Sequence, residues 1–147
     1  EDAEKRITIL INTNNEIKAE FTGQAFKLTN SAYLRQQVNY AISANESYTV
    51  SAYVKINSLS GAGGAYVGVY HDNTLYKSRI YSGTGEWRRI TYTFTPTSAV
   101  SANNWNIEIG TTNMTGEVLV KNIQLEKGTV ANRYNFIENG QAFRKTS

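Results

Sequence analysis

The sequence has no cysteine, one histidine, one proline and one methionine among its 147 residues. Without cysteine the chain can form neither a disulfide framework nor a thiolate nucleophile, and a single histidine excludes a metal site built from several histidines. A domain of this length can bury a sizeable core unaided, so the missing disulfides do not exclude secretion. A single domain is the simplest division of the chain.

The sequence also lacks long apolar runs, since none approaches the roughly 20 residues that span a membrane. No signal peptide is present, and the abrupt start at Glu1 is typical of a piece excised from a longer chain. The net charge of +3 is modest, and the basic residues are scattered rather than clustered. We therefore expect neither membrane insertion nor nucleic-acid binding.

Ten tyrosines and many Thr, Ser, Asn and Gly residues favour strands and turns over helices. The segment 85–95 shows the pattern best, because it opens at Gly85 and is followed by Pro96, the only proline. Side chains alternate along a strand, so Ile90, Tyr92 and Phe94 are predicted to point to one, apolar face. The opposite face carries an indole, a guanidinium and hydroxyls, from Trp87, Arg89, Thr91 and Thr93.

Short alternating segments recur along the chain and are separated by turn residues. The sequence predicts strands at 6–11, 24–29, 33–38, 47–56, 65–70, 75–81 and 117–126. A change of phase near Asn122 indicates a β-bulge, and Trp105 shares the apolar phase of Ile107 and Ile109. With no helical period, regular short strands predict an all-β sandwich or barrel. The core residues expected between two antiparallel sheets are Val50, Ala52, Val54, Val67, Val69, Ile90, Phe94, Ile107 and Val120.

Four segments, in this order and spacing, resemble a known group: 33–38, 48–55, 85–95 and 118–128. Together they are similar to the jelly-roll carbohydrate-binding modules of the family 4/9/22 type. The stretch from Gln124 to Gly128, with 131–135, also resembles modules of phage tail proteins and large bacterial wall proteins. The module is expected to occupy residues 1–136. Residues 137–147 are polar and are expected to form a linker or the start of a next module.

The resemblance implies a β-sandwich jelly roll of two antiparallel sheets that holds a polysaccharide or cell-surface glycan. It also implies a secreted, cell-surface or phage-virion protein, with flanking domains in a larger chain. A structural calcium ion bound by oxygen ligands is plausible by the same resemblance, with Glu126 as a candidate ligand. The alternative for Glu126 is an exposed charge at a strand end.

Sugar-binding modules stack aromatic rings on the C–H faces of pyranoses, while polar side chains hydrogen-bond the hydroxyls. Tyr53, Tyr66 and Tyr70 lie on the phases opposite to the core and are predicted to form one stacking platform. Alternatively, these tyrosines cover a solvent face or pack beneath loops, and Trp87 plugs one end of the sandwich. The predicted ligand-binding residues are Tyr33, Arg35, Gln37, Tyr53, Tyr66, Tyr70 and Trp87.

Catalysis has little support in the sequence. The single histidine, His71, stands beside Asp72 in a predicted turn, and the sequence does not pair Glu86, Glu108 and Glu117 as a glycosidase would require. We therefore expect no enzyme, but a non-catalytic module that binds a glycan on a concave sheet face. The alternative is a structural or adhesive spacer domain in a large cell-surface or phage tail protein.

Overall fold

Twelve β-strands and no helix make up the part of the chain that the computed structural model describes. That part comprises residues 4–8, 19–22, 25–133, 137–138 and 141–145, with side-chain environments for 25–133. No helix in it is long and apolar enough to cross a membrane. The strands are β1 Glu4–Thr8, β2 Ala19–Thr22, β3 Ala25–Thr29, β4 Tyr33–Gln37, β5 Tyr48–Ser60, β6 Gly64–His71, β7 Thr74–Lys77, β8 Arg88–Phe94, β9 Asn106–Thr112, β10 Thr115–Lys127, β11 Ile137–Glu138 and β12 Gln141–Lys145.

Two antiparallel sheets enclose the core. One has five strands in the order β2-β3-β10-β5-β8, and the other has four in the order β4-β9-β6-β7. This arrangement confirms the predicted all-β sandwich. A third sheet, β1-β12-β11, joins the two ends of the chain. Its strands β11 and β12 lie in 137–147, where the sequence showed no strand pattern. The division of the chain at residue 136 stays a prediction.

The core contains the residues that strand alternation predicted to point inward. Eight of the nine predicted core residues are buried, and Phe94 is half-buried against them. Trp105 is only 1% exposed, and its indole Nε1 donates a hydrogen bond to the carbonyl of Tyr40 at 2.7 Å. The phase of each main strand was therefore predicted correctly from local sequence.

The predicted bulge is present in β10. The register with β5 shifts between Lys121 and Gln124, and Asn122 takes a left-handed conformation with φ of 55°. The bulge changes the phase, so Val120 before it and Ile123 after it both reach the core. A strand with unbroken alternation would have turned the second half of its apolar residues to solvent.

The segment 128–133 folds back over the outer face of the five-stranded sheet. The Thr49 hydroxyl donates to the Gly128 carbonyl at 2.8 Å, and an Arg89 nitrogen contacts the Ala131 carbonyl at 3.4 Å. This cover explains why polar residues on the outward phase of β5 and β10 are buried, namely Thr49, Ser51, Gln124 and Glu126. That end of the five-stranded sheet is thus closed to a large ligand.

Candidate functional site

The outer face of the four-stranded sheet collects polar and aromatic side chains from three strands. Antiparallel register places residues of β4, β9 and β6 side by side, and alternation points their side chains away from the core. Three rows result: Tyr33, Gly110 and Tyr66; Arg35, Glu108 and Gly68; Gln37, Asn106 and Tyr70. We call this surface the β4-β9-β6 face.

Arg35 lies in the middle of this face and contacts Glu108, Tyr33 and Tyr70. Its Nε donates to Glu108 Oε1 at 2.8 Å, and its Nη2 lies 2.8 Å from the same oxygen. Its guanidinium carbon lies 3.7 Å from the ring centre of Tyr70 and 4.4 Å from that of Tyr33. The Arg35 side chain is 20% exposed and that of Glu108 only 3%. A buried carboxylate thus fixes a guanidinium between two half-buried rings at the surface.

Tyr66 belongs to this face but is buried, with 4% of its surface exposed. Its hydroxyl donates to Glu108 Oε2, the oxygen that Arg35 does not use. The ring can take this position because Gly110 has no side chain. A Cβ there would lie 2.5 Å from the Tyr66 hydroxyl oxygen and 2.8 Å from the Ala32 carbonyl oxygen. The prediction that Tyr66 is a stacking residue is therefore wrong, and its role is to support Glu108.

The surroundings of Tyr66 disfavour its ionised form. Burial, and then the nearby Glu108 carboxylate, raise the pKa of Tyr66 well above its ordinary value of 10.0. The folded chain therefore keeps this proton at a pH where the unfolded chain has released it. Stability from this source is complete below about pH 10 and is lost as the pH rises beyond it.

The Tyr66→Phe variant tests this coupling. Above about pH 10 the free energy of unfolding of the wild type should fall more steeply with pH than that of the variant, which has no hydroxyl to ionise. Denaturant titrations between about pH 8 and about pH 11 measure both slopes. Burial also raises the pKa of Tyr40 and of Tyr92. Both proteins should therefore keep a further dependence of stability on pH that is the same in each. Equal slopes in the two proteins would contradict the assignment.

The single platform of Tyr53, Tyr66 and Tyr70 does not form. Tyr53 lies on β5, in the five-stranded sheet, so the core separates it from Tyr70. Trp87 precedes β8 on the same outer face as Tyr53, and its ring centre is 4.2 Å from the Lys121 ammonium nitrogen. By contrast Tyr33, Arg35, Gln37 and Tyr70 do share one face, as predicted.

Glu126 is not the exposed strand-end charge considered as its alternative role, because it is fully buried. Its Oε2 accepts hydrogen bonds from the Asn132 backbone N–H and from Gln124, and its Oε1 accepts one from the Asn132 side chain at 2.8 Å. N–H donors therefore stand where a cation would have to sit, so this donor set does not fit calcium. No group of three or more His, Cys, Asp or Glu that could hold a metal occurs in the described residues. Calcium itself stays an untested prediction.

Glu108 is the important residue that sequence reasoning did not place in the site. It was considered only as a possible catalytic carboxylate, together with Glu86 and Glu117. The structure engages Glu108 with Arg35 and Tyr66, while Glu117 accepts a hydrogen bond from Asn57 at 3.4 Å. One signal was available, since Glu108 stands between two apolar residues on the phase opposite to the core.

The chain matches one family over most of its length. The family model described as BppA domain 1 (CBM_4_9_1) covers residues 4–125. The chain belongs to this family. Membership in this family confirms the resemblance to carbohydrate-binding modules and the prediction of a glycan-binding module. No curated protein sequence is significantly similar to the chain.

Solved structures with the same fold are distant in sequence. A CBM4 structure is 13% identical in sequence to this chain and superposes with a TM-score of 0.55. The match covers 86% of this chain and 96% of the CBM4 chain. "Family 16 Carbohydrate Binding Module-2" is 20% identical with a TM-score of 0.53, covering 77% and 86%. The tripod (BppUct-A-L) from the baseplate of bacteriophage Tuc2009 is 18% identical with a TM-score of 0.50, covering 90% and 59%.

The chain also aligns with part of a much longer protein, an arabinose-bound α-L-arabinofuranosidase. The TM-score is 0.57 at 13% identity, and the match covers 90% of this chain but only 24% of the other. At these identities the likeness shows a shared fold alone.

Proposed function

We propose that the β4-β9-β6 face binds a polysaccharide without catalysis, through Tyr33, Arg35, Gln37 and Tyr70. The observation that carries this proposal is the guanidinium of Arg35, held between the rings of Tyr33 and Tyr70 above a buried carboxylate. A sugar needs both an apolar ring surface and fixed polar groups, and this face presents the two together. Membership in a family of the carbohydrate-binding-module type supports the proposal.

The polar groups of this face are positioned before any ligand arrives. Arg35 uses Nε and Nη2 on Glu108, and its Nη1 donates to no protein atom in the described part of the chain. The exposed Gln37 side chain donates its Nε2 to the Asn103 carbonyl at 2.9 Å, which orients its amide oxygen as an acceptor. Such groups lose little side-chain entropy on binding, so their contacts with hydroxyls contribute more of their energy to affinity.

The absence of catalysis is part of this proposal. Glycoside hydrolysis needs one carboxyl group that can protonate the leaving oxygen and a second that acts as nucleophile or base. Both oxygens of Glu108 already accept hydrogen bonds, from Arg35 and Tyr66. A carboxylate in that arrangement supports a binding residue and is not free for proton transfer to a sugar.

We infer a secreted, cell-surface or virion location for the module, because its family is of the carbohydrate-binding-module type and its fold resembles a phage baseplate protein. We also infer that it belongs to a larger chain, because the matches cover 24% of the arabinofuranosidase chain and 59% of the baseplate tripod chain. The likeness to the baseplate tripod also favours a second candidate, a structural or adhesive spacer without a ligand of its own.

The Tyr70→Ala variant tests the proposed face. Removing the ring takes away its apolar contact with the sugar and loosens Arg35, so affinity for a glycan found on an array should fall by about 1–2 kcal/mol, roughly 5–30-fold. Titration calorimetry with that glycan measures the change, and a thermal melt confirms that the variant is folded.

The matched control is Tyr76→Ala. Tyr76 is on the neighbouring strand β7 and is the most exposed aromatic residue in the described part of the chain, at 48%, but it lies on the opposite phase. Its replacement should leave glycan affinity unchanged. An equal loss in both variants would contradict the proposed face, and failure of every glycan to bind the wild type would favour the spacer.

A further inference from the structure

A second charged and aromatic surface lies on the opposite side of the sandwich, on the five-stranded sheet. In the register of β8, β5 and β10, Arg89 and Lys121 stand on either side of Tyr53. Lys55 is two residues further along β5 on the same phase, so its side chain lies about 7 Å from that of Tyr53. Trp87 adjoins this group through its contact with Lys121. We call Tyr53, Lys55, Trp87, Arg89 and Lys121 the β5 basic patch.

The cations of this patch have no anionic partner among the residues that the structure describes. Within the described residues none of Lys55, Arg89 and Lys121 forms an ion pair, and Glu117 on the same face accepts a hydrogen bond from Asn57 instead. Arg89 donates to two neutral oxygens, at 2.9 Å to the Ser51 hydroxyl and at 3.4 Å to the Ala131 carbonyl. Its Nε is buried and has no hydrogen-bond partner in the described part of the chain.

Holding these like charges together costs folding energy, because neighbouring strands are about 5 Å apart and the whole group lies within roughly one Debye length. The two aromatic rings offset part of this cost. The Arg89 guanidinium carbon lies 5.4 Å from the ring centre of Tyr53, and the Lys121 ammonium nitrogen lies 4.2 Å from that of Trp87. The rings fix the cations in place but supply no negative charge, so no described residue compensates the positive charge of the patch.

We propose that the β5 basic patch binds an acidic polysaccharide, through carboxylate or phosphate groups on its sugars. The charge of the ligand would complete the pairing that the protein leaves open, in the way that opposite potentials meet across an interface. This site is separate from the β4-β9-β6 face, where Glu108 already neutralises Arg35, so it does not depend on the function proposed above.

The small extent of the patch favours a glycan over a single-stranded nucleic acid. Nucleic-acid channels follow the backbone with a positively charged groove over several nucleotides. Here three cations, Lys55, Arg89 and Lys121, occupy neighbouring positions on three strands. A patch of this size suits one or two acidic groups of a polysaccharide rather than a continuous phosphate backbone.

The test compares two double variants that remove the same charge. The first, Lys55→Gln/Lys121→Gln, takes two cations out of the patch. The second, Lys77→Gln/Lys127→Gln, removes two exposed lysines outside the patch. Lys77 lies on β7, paired with Gly68 at the edge of the β4-β9-β6 face, and Lys127 lies at the end of β10. Binding is measured at low ionic strength to polygalacturonate, phosphomannan, neutral mannan and an oligothymidylate, with thermal melts for every protein.

We expect the wild type to bind polygalacturonate or phosphomannan more tightly than mannan, and higher salt to weaken this binding. The patch variant should lose roughly tenfold in affinity for the acidic polymer, as expected for two solvent-exposed ion pairs, and the control less than about twofold. Preference between the two acidic polymers identifies carboxylate or phosphate as the recognised group. Binding of a neutral glycan to the β4-β9-β6 face should be unchanged in the patch variant.

Three results would overturn the proposal. The first is that neither acidic polymer binds the wild type. The second is an equal loss in the two double variants, which would make net charge the cause. The third is preferential binding of the oligothymidylate that depends on Lys55 and Lys121. If the patch variant does not fold, the single variants Lys55→Gln and Lys121→Gln replace it, each with an expected loss of roughly threefold.

Discussion

The Glu108→Ala variant is expected to unfold with a free energy about 3 kcal/mol below that of the wild type. The substitution removes the acceptor of Arg35 and of the Tyr66 hydroxyl, so a partly buried guanidinium and a buried hydroxyl lose their partners at once. It also leaves a void beneath Arg35. Denaturant-induced unfolding at neutral pH measures the difference, and the same variant should bind glycan more weakly because Arg35 is no longer oriented.

Glu108→Gln is the matched control for this prediction. Glutamine keeps the volume and one acceptor oxygen, which can still receive a bond from Arg35 or from Tyr66. The loss should therefore be clearly smaller than for alanine. If Glu108→Ala changes the free energy of unfolding by less than about 0.5 kcal/mol, as for an ordinary surface site, the buried arrangement around Glu108 is not formed in solution.

The Trp105→Ala variant should lose more, about 3–5 kcal/mol, because truncating a buried tryptophan removes its packing and leaves a large cavity. Trp105 is 1% exposed, and its ring centre is 6.0 Å from that of Phe94 in an edge-to-face contact. Its indole hydrogen bond to the Tyr40 carbonyl would be lost as well, leaving that oxygen without this donor. Thermal and chemical unfolding measure the loss.

The other tryptophan provides the comparison. Trp87 is half-buried on the outer face of the five-stranded sheet, where solvent can fill the space of a removed ring. Trp87→Ala should therefore cost about 1 kcal/mol, typical of a partly exposed position. A larger loss at Trp87 than at Trp105 would reverse the assignment of core and surface and would support the idea that Trp87 plugs one end of the sandwich.

Local sequence was sufficient for the phase of the strands. Ile90, Val50 and Val120 were predicted to be inward from alternation alone, and all three are buried. The bulge at Asn122 was found from a break in the same pattern. These predictions succeeded because the two faces of a strand differ in hydrophobicity over only a few residues, so the information is local.

The candidate site was predicted in part. Tyr33, Arg35, Gln37 and Tyr70 were expected on one surface and share one. Tyr53 was assigned to the same surface but lies on the other sheet, since alternation shows that a side chain points away from the core without showing on which side of the sandwich it lies. Tyr66 has the outward phase as well, and its burial depends on the space above Gly110, a residue that joins it only through strand pairing.

The sequence by itself determined the all-β class, the faces of the strands, the bulge and the resemblance to carbohydrate-binding modules. Only the tertiary structure decided which strands share a sheet and which charges meet. Arg35 and Glu108 are 73 residues apart in the chain, and they meet because β4 pairs with β9 in one register. Such pairing is set by the packing of the whole sandwich. Local alternation shows only which face of a strand a side chain occupies, so it cannot show that β4 lies beside β9.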